Sequence, residues 1–191
     1  MNDDLKYEVD AAVAALRNGD VILYPTDTVW GLGCDATRDA TIERIFSLKQ
    51  RDDSKSVIIL VSDADMLCKY VRQIPPIALD LLEVNDKPMT IIYPEGVGLS
   101  GKVIAEDGSV AIRIPQNEFC VEMIRAFGKP IVSTSANISG EDTPGCFAEI
   151  NAEILDSVDH IVEPSLEETS TGRSSQIIKV GMAGEIKVIR E

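Results

Sequence analysis

The sequence predicts an α/β fold built on a mixed, twisted sheet with flanking helices. Three observations predict it. Strand-like and helix-period segments alternate along the 191 residues. Several of the strand-like segments, such as VILYP at 21–25 and SVIILV at 56–61, are continuous apolar runs, as in strands covered on both faces. The close spacing of MTIIYP (89–94) and SVAIRIP (109–115), with a hairpin signal near the C-terminus, adds antiparallel pairs.

Taken in order, Leu5, Val9, Ala12, Val13 and Leu16 share one helical face over residues 5–17, and Asn18-Gly19 stops that helix. VILYP follows as a strand. Asp39 is placed to cap a second helix with Ile42, Ile45 and Phe46 inward. After the strand SVIILV, the polar–apolar mix from Asp63 to Val71 predicts a helix, and Pro75 opens another through Leu82. MTIIYP and SVAIRIP are strands. Residues 117–127 form a helix with Phe119, Met123 and Phe127 near one face, and PIVSTSA (130–136) is a strand running into a polar loop. A helix around Ala148 to Leu155 precedes the short strand HIVE (160–163), and SSQIIKVGMAGEIKVIRE (174–191) folds back at MAGE as a hairpin. No internal repeat or low-complexity linker is evident. The length suits one domain over 1–191, or one with a small annex.

Composition excludes several functions. No apolar run approaches the roughly 18 residues of a membrane helix, and the acidic N-terminal MNDDLKYEVD lacks the pattern of a secretory signal. A cytoplasmic, non-membrane protein is expected. Its four cysteines are far apart, so free buried thiols are expected rather than zinc or disulfides. With 32 acids against 18 bases, the net charge is −14, which argues against broad binding to nucleic acid. An anionic ligand would need the scarce bases gathered in one place.

Two motifs are decoys. GVGLSGKV (96–103) satisfies GxGxxG and nearly matches a phosphate loop, but only VIAEDG follows before the next strand. That is too short for the helix whose N-terminus would hold phosphate. Asn137-Ile138-Ser139 fits a glycosylation acceptor only by chance in a chain without a secretory signal.

Four constellations remain. Lys49, Arg51 and Lys55 surround a helix end. They are either solvated cations relieving the helix dipole or a polyphosphate clamp. Ser133 to Asn137 (STSAN) follows a strand. Ser135 and Asn137 point the same way if strand geometry persists, and their hydroxyl and amide can bind a ligand or shape a turn. Arg113 lies inside an apolar strand, where a charge needs an ion partner or an anion-facing cavity. In YPTDTVWGLGCDA (24–36), Thr26 and Thr28 alternate, and Gly31 and Gly33 permit close backbone approach. The stretch is either a tight strand-to-helix connection or a place where a small polar ligand lies against the backbone. Ser174 and Ser175 form a lesser hydroxyl pair. The single histidine, His160, sits in a short apolar strand and reads as structural, so Ser-His or Cys-His catalysis is not indicated. Hydroxyls, backbone amides, Lys and Arg suit adenylyl or phosphoryl transfer.

In this order, YPTDTVWGLGCDA, LKQR with Lys55, PMT, AIRIP, STSANISG and SSQII resemble the YrdC/TsaC family of L-threonylcarbamoyladenylate synthases, over roughly Val21 to Ile178. The resemblance implies a twisted mixed sheet around a deep, positively lined cavity. It implies the reaction L-threonine + bicarbonate + ATP → threonylcarbamoyl-AMP + pyrophosphate + water, with Mg2+ carried on the nucleotide. The product would pass to a tRNA-modifying transferase complex. By matching motifs, Lys49 and Arg51 correspond to the catalytic basic pair at the nucleotide phosphates, and Lys55, Thr90, Ser135 and Asn137 to further ATP-binding positions. Thr26, Arg113 and Ser175 correspond to positions at the threonine. The chain departs from the pattern at Leu60, where many members have a histidine, and at Trp30, usually tyrosine or phenylalanine. Some members are proposed to bind RNA on a basic surface, which a charge of −14 disfavours here. Two other readings stay open at this point: a carbamoyl-adenylate transfer module and a non-catalytic RNA-binding protein.

Overall fold

A computed structural model describes residues 2–50 and 57–191. Among them the strands are β1 (Ile22–Tyr24), β2 (Gly31–Asp35), β3 (Ile58–Leu60), β4 (Met89–Tyr93), β5 (Val110–Arg113), β6 (Ile131–Ser135), β7 (His160–Ile161), β8 (Gln176–Val180) and β9 (Ile186–Arg190). The α-helices are α1 (Asp3–Asn18), α2 (Asp39–Leu48), α3 (Ala64–Tyr70), α4 (Pro76–Val84), α5 (Glu118–Phe127) and α6 (Ala152–Ser157). The strands form one sheet in the order β7-β1-β2-β6-β3-β5-β4-β8-β9. The pairs β1/β7, β3/β5 and β4/β8 are parallel, and the others are antiparallel. The mixed sheet predicted from sequence is present. No described helix is long and apolar enough to cross a membrane.

Local chemistry sets most of the helix ends. The Asn2 side chain accepts from Leu5 N, and Gly19, at φ 91°, closes α1 in a left-handed conformation that suits glycine. Asp63 and Asn117 cap α3 and α5 in the same way. Asp39, by contrast, is not a cap. It lies one residue too late, inside the first turn of α2, where its charge faces the positive helix end and its carboxylate accepts from Ser100 Oγ. The predicted helix around Ala148 to Leu155 is also shifted. A 3-10 turn covers Phe147–Glu149, and α6 starts only after Asn151 accepts from Glu153 N. YPTDTVWGLGCDA is not a strand-to-helix connection: residues 25–30 turn the chain back and Gly31–Asp35 becomes β2, pairing with both β1 and β6.

The register gives the two sheet faces different chemistry. Residues directly opposite each other share a face. Cys34, Val132, Ile59, Ile112 and Ile91 follow one another through these pairings, all at most 2% exposed, and form the apolar face. Burying each of the valine and isoleucine side chains contributes about 1.5–3 kcal/mol. Helices α1 and α2 pack against this half of the sheet, on β1 and β2, and α1 also packs on α5. The opposite face carries Ser133, Ile58, Leu60, Arg113 and, beyond Ala111 and Ile92, Thr90 and Ile177. Hydroxyls and a guanidinium thus alternate with the core residues on the same strands.

The cysteines depart from expectation in burial. All four are free, but Cys68 is exposed and Cys146 half-buried, while Cys34 and Cys120 are buried. Burial pushes the Cys34 thiol up to about 12 and raises that of Cys120 as well. Reactivity follows the thiolate. A thiol reagent at pH 8 should therefore label Cys68 and Cys146 in the native protein, and Cys34 and Cys120 only after denaturation, as read by peptide mass spectrometry. Native labelling of Cys34 or Cys120 would contradict this packing.

Candidate functional site

The polar face of the sheet floors a cavity of about 200 Å³. Ser133 and Ser135 of β6, Ile58 and Leu60 of β3, and Arg113 of β5 form its floor. Thr26, Thr28 and Trp30, from the turn between β1 and β2, make one wall. Ser174, Ser175 and Ile177, at the start of β8, make the other, where Arg190 of β9 joins them. No carboxylate or imidazole is among the described lining residues, so both charges there are guanidinium groups.

Hydrogen bonds fix the threonine wall in one direction. Thr26 Oγ1 spends its proton on Val29 O at 2.8 Å and accepts from Thr28 N at 3.0 Å. In its 2.8 Å contact with Thr28 Oγ1, the Thr28 hydroxyl must then be the donor. Thr28 Oγ1 in turn accepts from Arg113 Nη1 at 2.9 Å. The result is a polarised chain from Arg113 through Thr28 and Thr26 to Val29 O. Thr26 Oγ1 already makes its three hydrogen bonds, so its hydroxyl anchors the turn.

Arg113 is buried and pairs by charge with buried Asp27. The contact is not an aligned hydrogen bond: among the described residues, neither Arg113 Nε and Nη2 nor the Asp27 carboxylate oxygens have a hydrogen-bond partner. Asp27 sits behind the guanidinium and not on the cavity lining, so Arg113 presents its charge inward while being neutralised from behind. Thr90 is fully buried and does not line the cavity. Its hydroxyl lies 2.8 Å from that of Ser175, which does. Arg190 forks onto Ser175 O through Nε at 3.0 Å and Nη2 at 2.8 Å. Both guanidinium groups line the same cavity, and partial burial, then the charge of Arg113, pulls the Arg190 guanidinium below its ordinary value.

On the β6 side, Lys49 is 2% exposed and lies beneath the loop rather than on the cavity lining. Its ammonium donates to Ser135 O at 2.5 Å and Asn137 O at 2.7 Å, and Ser139 N returns a bond to Lys49 O. The strand ends at Ser135, so Ser135 and Asn137 do not continue side by side. Ser135 lines the cavity, whereas Asn137 Nδ2 turns to Ile138 O and Glu141 O. Asn137 Oδ1 is buried, with no hydrogen-bond partner among the described residues. Arg51 and Lys55 lie outside the described residues.

The glycines also answer to packing inside the protein. A Cβ on Gly33 would come within 2.7 Å of Tyr24 Cε1 and 3.0 Å of Val132 O, and one on Gly31 within 3.2 Å of Tyr24 Cζ. The Tyr24 ring lies across both positions; at Gly31, which also lines the cavity, Ser133 Oγ would be nearer still, at 3.1 Å. Burial drives the Tyr24 phenol far above its ordinary value, and it donates to Ser133 Oγ at 2.8 Å. The decoys stay apart: Gly101–Val103 is a single 3-10 turn, Lys102 pairs with Glu43 at 2.8 Å, and His160 is not on the lining.

Sequence reasoning missed Arg190, Asp27 and the partner of Trp30. Of these, only Asp27 left a signal, as the acid between two threonines in a stretch that also had to serve a buried arginine. The Trp30 indole donates to Glu167 at 2.5 Å, across 137 residues of chain.

The Sua5/YciO/YrdC family model, described as "Telomere recombination", matches residues 14–191. A protein of Stenotrophomonas maltophilia named threonylcarbamoyl-AMP synthase is 38% identical over 81% of this chain and 85% of its own length. One of the same name from Xanthomonas euvesicatoria is 33% identical over the full length of both. Among solved structures, the H234A/Y235A variant of P. abyssi Sua5 superposes with a TM-score of 0.88 at 26% identity. It covers 97% of this chain, which spans about half (53%) of that one.

Proposed function

The chain belongs to the Sua5/YciO/YrdC family, and from that premise we infer that it is a threonylcarbamoyl-AMP synthase, an enzyme that forms an adenylate from L-threonine and ATP. The observation that carries this reading is the convergence of Arg113 and Arg190 with Thr28, Ser135 and Ser175 on one sheet face of a chain whose net charge is −14.

The reaction we propose has bicarbonate as the third substrate. The threonine amine adds to bicarbonate-derived carbon dioxide to give a carbamate. A carbamate oxygen then attacks the α-phosphorus, the bond to the β-phosphate oxygen breaks, and pyrophosphate leaves. This gathers a carboxylate, a carbamate and a triphosphate, whose mutual repulsion fixed cations reduce. Arg113, held by Asp27 and Thr28, would take the threonine carboxylate, with Ser175 beside it. Ser135 and the loop supported by Lys49 would seat the nucleotide, together with Arg51 and Lys55. Holding two reactants in line can remove about 7–11 kcal/mol of barrier. The described residues include no group of three His, Cys, Asp or Glu able to hold a metal. Magnesium would come with the triphosphate, ligated by phosphate and water, and neutralise it. The product, a labile mixed anhydride, would pass to a cytoplasmic tRNA-modifying complex.

The test is pyrophosphate release with ATP, L-threonine and bicarbonate, with the adenylate identified by mass. Release should require all three substrates. Release that needs carbamoyl phosphate instead of threonine would move the chain to carbamoyl-adenylate chemistry, and no turnover with tight RNA binding would make it a binding protein.

A further inference from the structure

Trp30 is fully buried yet lines the cavity. Its indole N–H donates to Glu167 Oε2 at 2.5 Å, and the same oxygen accepts from Phe147 N at 2.8 Å. The Phe147 ring packs on the indole, with centroids 5.0 Å apart and planes at 52°. Glu167 belongs to the 3-10 segment Pro164–Thr169, and the chain beyond it stays attached to the same turn. Ser170 Oγ donates to Thr28 O at 2.6 Å and Thr171 N to Asp27 O at 3.2 Å. It then supplies Ser174 and Ser175 to the cavity wall. On its other side, Trp30 O accepts from Ala136 N at 3.1 Å, next to Ser135. Trp30 therefore stands between the β6 loop and the wall formed by residues 170–175, and Glu167 holds its ring edge.

We propose that Glu167 is a positioning residue for the threonine side of the cavity: by gripping the Trp30 indole it fixes the segment that carries Ser174 and Ser175 against the Thr26–Thr28 turn. The inference rests on the synthase reading of this cavity. A carboxylate accepting two N–H bonds here is charge-assisted and has a fixed direction. Phenylalanine or tyrosine at position 30 would offer no ring N–H, so Trp30 and Glu167 operate as a pair in this chain. Neither Glu167 nor its segment contacts the loop held by Lys49 through any of these bonds. Loosening the pair should therefore act on threonine more than on ATP.

The experiment compares Trp30→Phe, Glu167→Gln, Glu167→Ala and Trp30→Phe/Glu167→Ala with the wild-type chain. Glu167→Ala should lower kcat/KM for threonine about tenfold and leave the Kd for ATP, measured without threonine, within about twofold. Glu167→Gln keeps an acceptor oxygen and should recover part of the loss. Trp30→Phe should cost about as much as Glu167→Ala, and the double variant little more than either, because one interaction is removed. Trp30 is the only tryptophan, so its emission should shift in ligand-free Glu167→Ala and confirm that the contact was broken in a folded chain. A shifted emission with unchanged threonine kcat/KM, or an equal loss in ATP affinity, overturns the proposal. Threonine-independent pyrophosphate release by the wild-type protein would instead sink the synthase reading.

Discussion

Arg113→Ala is expected to abolish threonine-dependent pyrophosphate release, with kcat/KM for threonine falling by at least about 10²-fold. Truncating one member of a desolvated charge pair costs about 2–5 kcal/mol in recognition, and Arg113 also polarises the Thr28–Thr26 chain that shapes the wall. Arg113→Lys should not rescue, because a single ammonium cannot meet Thr28 and Asp27 in the same planar geometry while facing a carboxylate. The loss has two components that can be separated. Without Arg113, Asp27 is a buried charge with no counter-ion, which costs about 3–5 kcal/mol of stability. At roughly 2–4 °C per kcal/mol, the melting temperature should fall by about 6–20 °C. Arg113→Met combined with Asp27→Asn removes both charges and should recover much of that stability, but none of the threonine turnover. If turnover returned with stability, Arg113 would be a structural residue and the site would need another carboxylate partner.

Much of this arrangement was legible from local patterns, and what was not depended on register. The helical face of Leu5, Val9, Ala12, Val13 and Leu16 and the stop at Gly19 follow from periodicity and backbone freedom alone, and both are present. The strand Gly31–Asp35 was not visible because GLGCD has little intrinsic strand preference; pairing with β1 and β6 on either side makes it a strand. Arg113 stood out because a charge inside an apolar strand demands an explanation. Arg190 did not, because every residue of β9 is exposed and a charge there is ordinary. Only the pairing of β8 with β9, irregular between Ile177 and Ile178, sets Arg190 opposite Ile177, where it reaches Ser175. Asp27 and Glu167 were hidden for the same reason: their partners lie 86 and 137 positions away in sequence and meet them only through the fold.

Lys49→Met separates two ways in which a lysine can serve a nucleotide. The basic run around it suggests a direct grip on phosphate, but the ammonium sits 2% exposed under the loop and donates to Ser135 O and Asn137 O. Methionine fills the same volume without a donor, so two inner carbonyls lose a charged partner. Ser135 O still accepts from Asn137 N, so Asn137 O is the group left unmet. At about 1–3 kcal/mol, the melting temperature should fall by roughly 2–12 °C, and nucleotide binding should weaken because the Ser135 end of the floor is no longer held. The pattern of weakening distinguishes the two roles. A residue that supports the loop acts on whatever the loop seats, so AMP and ATP affinities should fall by similar factors. A residue that grips the outer phosphates would lower ATP affinity much more than AMP affinity. Calorimetry with both nucleotides on Lys49→Met, beside Arg51→Ala, decides it. Parallel losses place Lys49 beneath the site as its support, and an ATP-selective loss would mean that the ammonium leaves the two carbonyls when nucleotide binds.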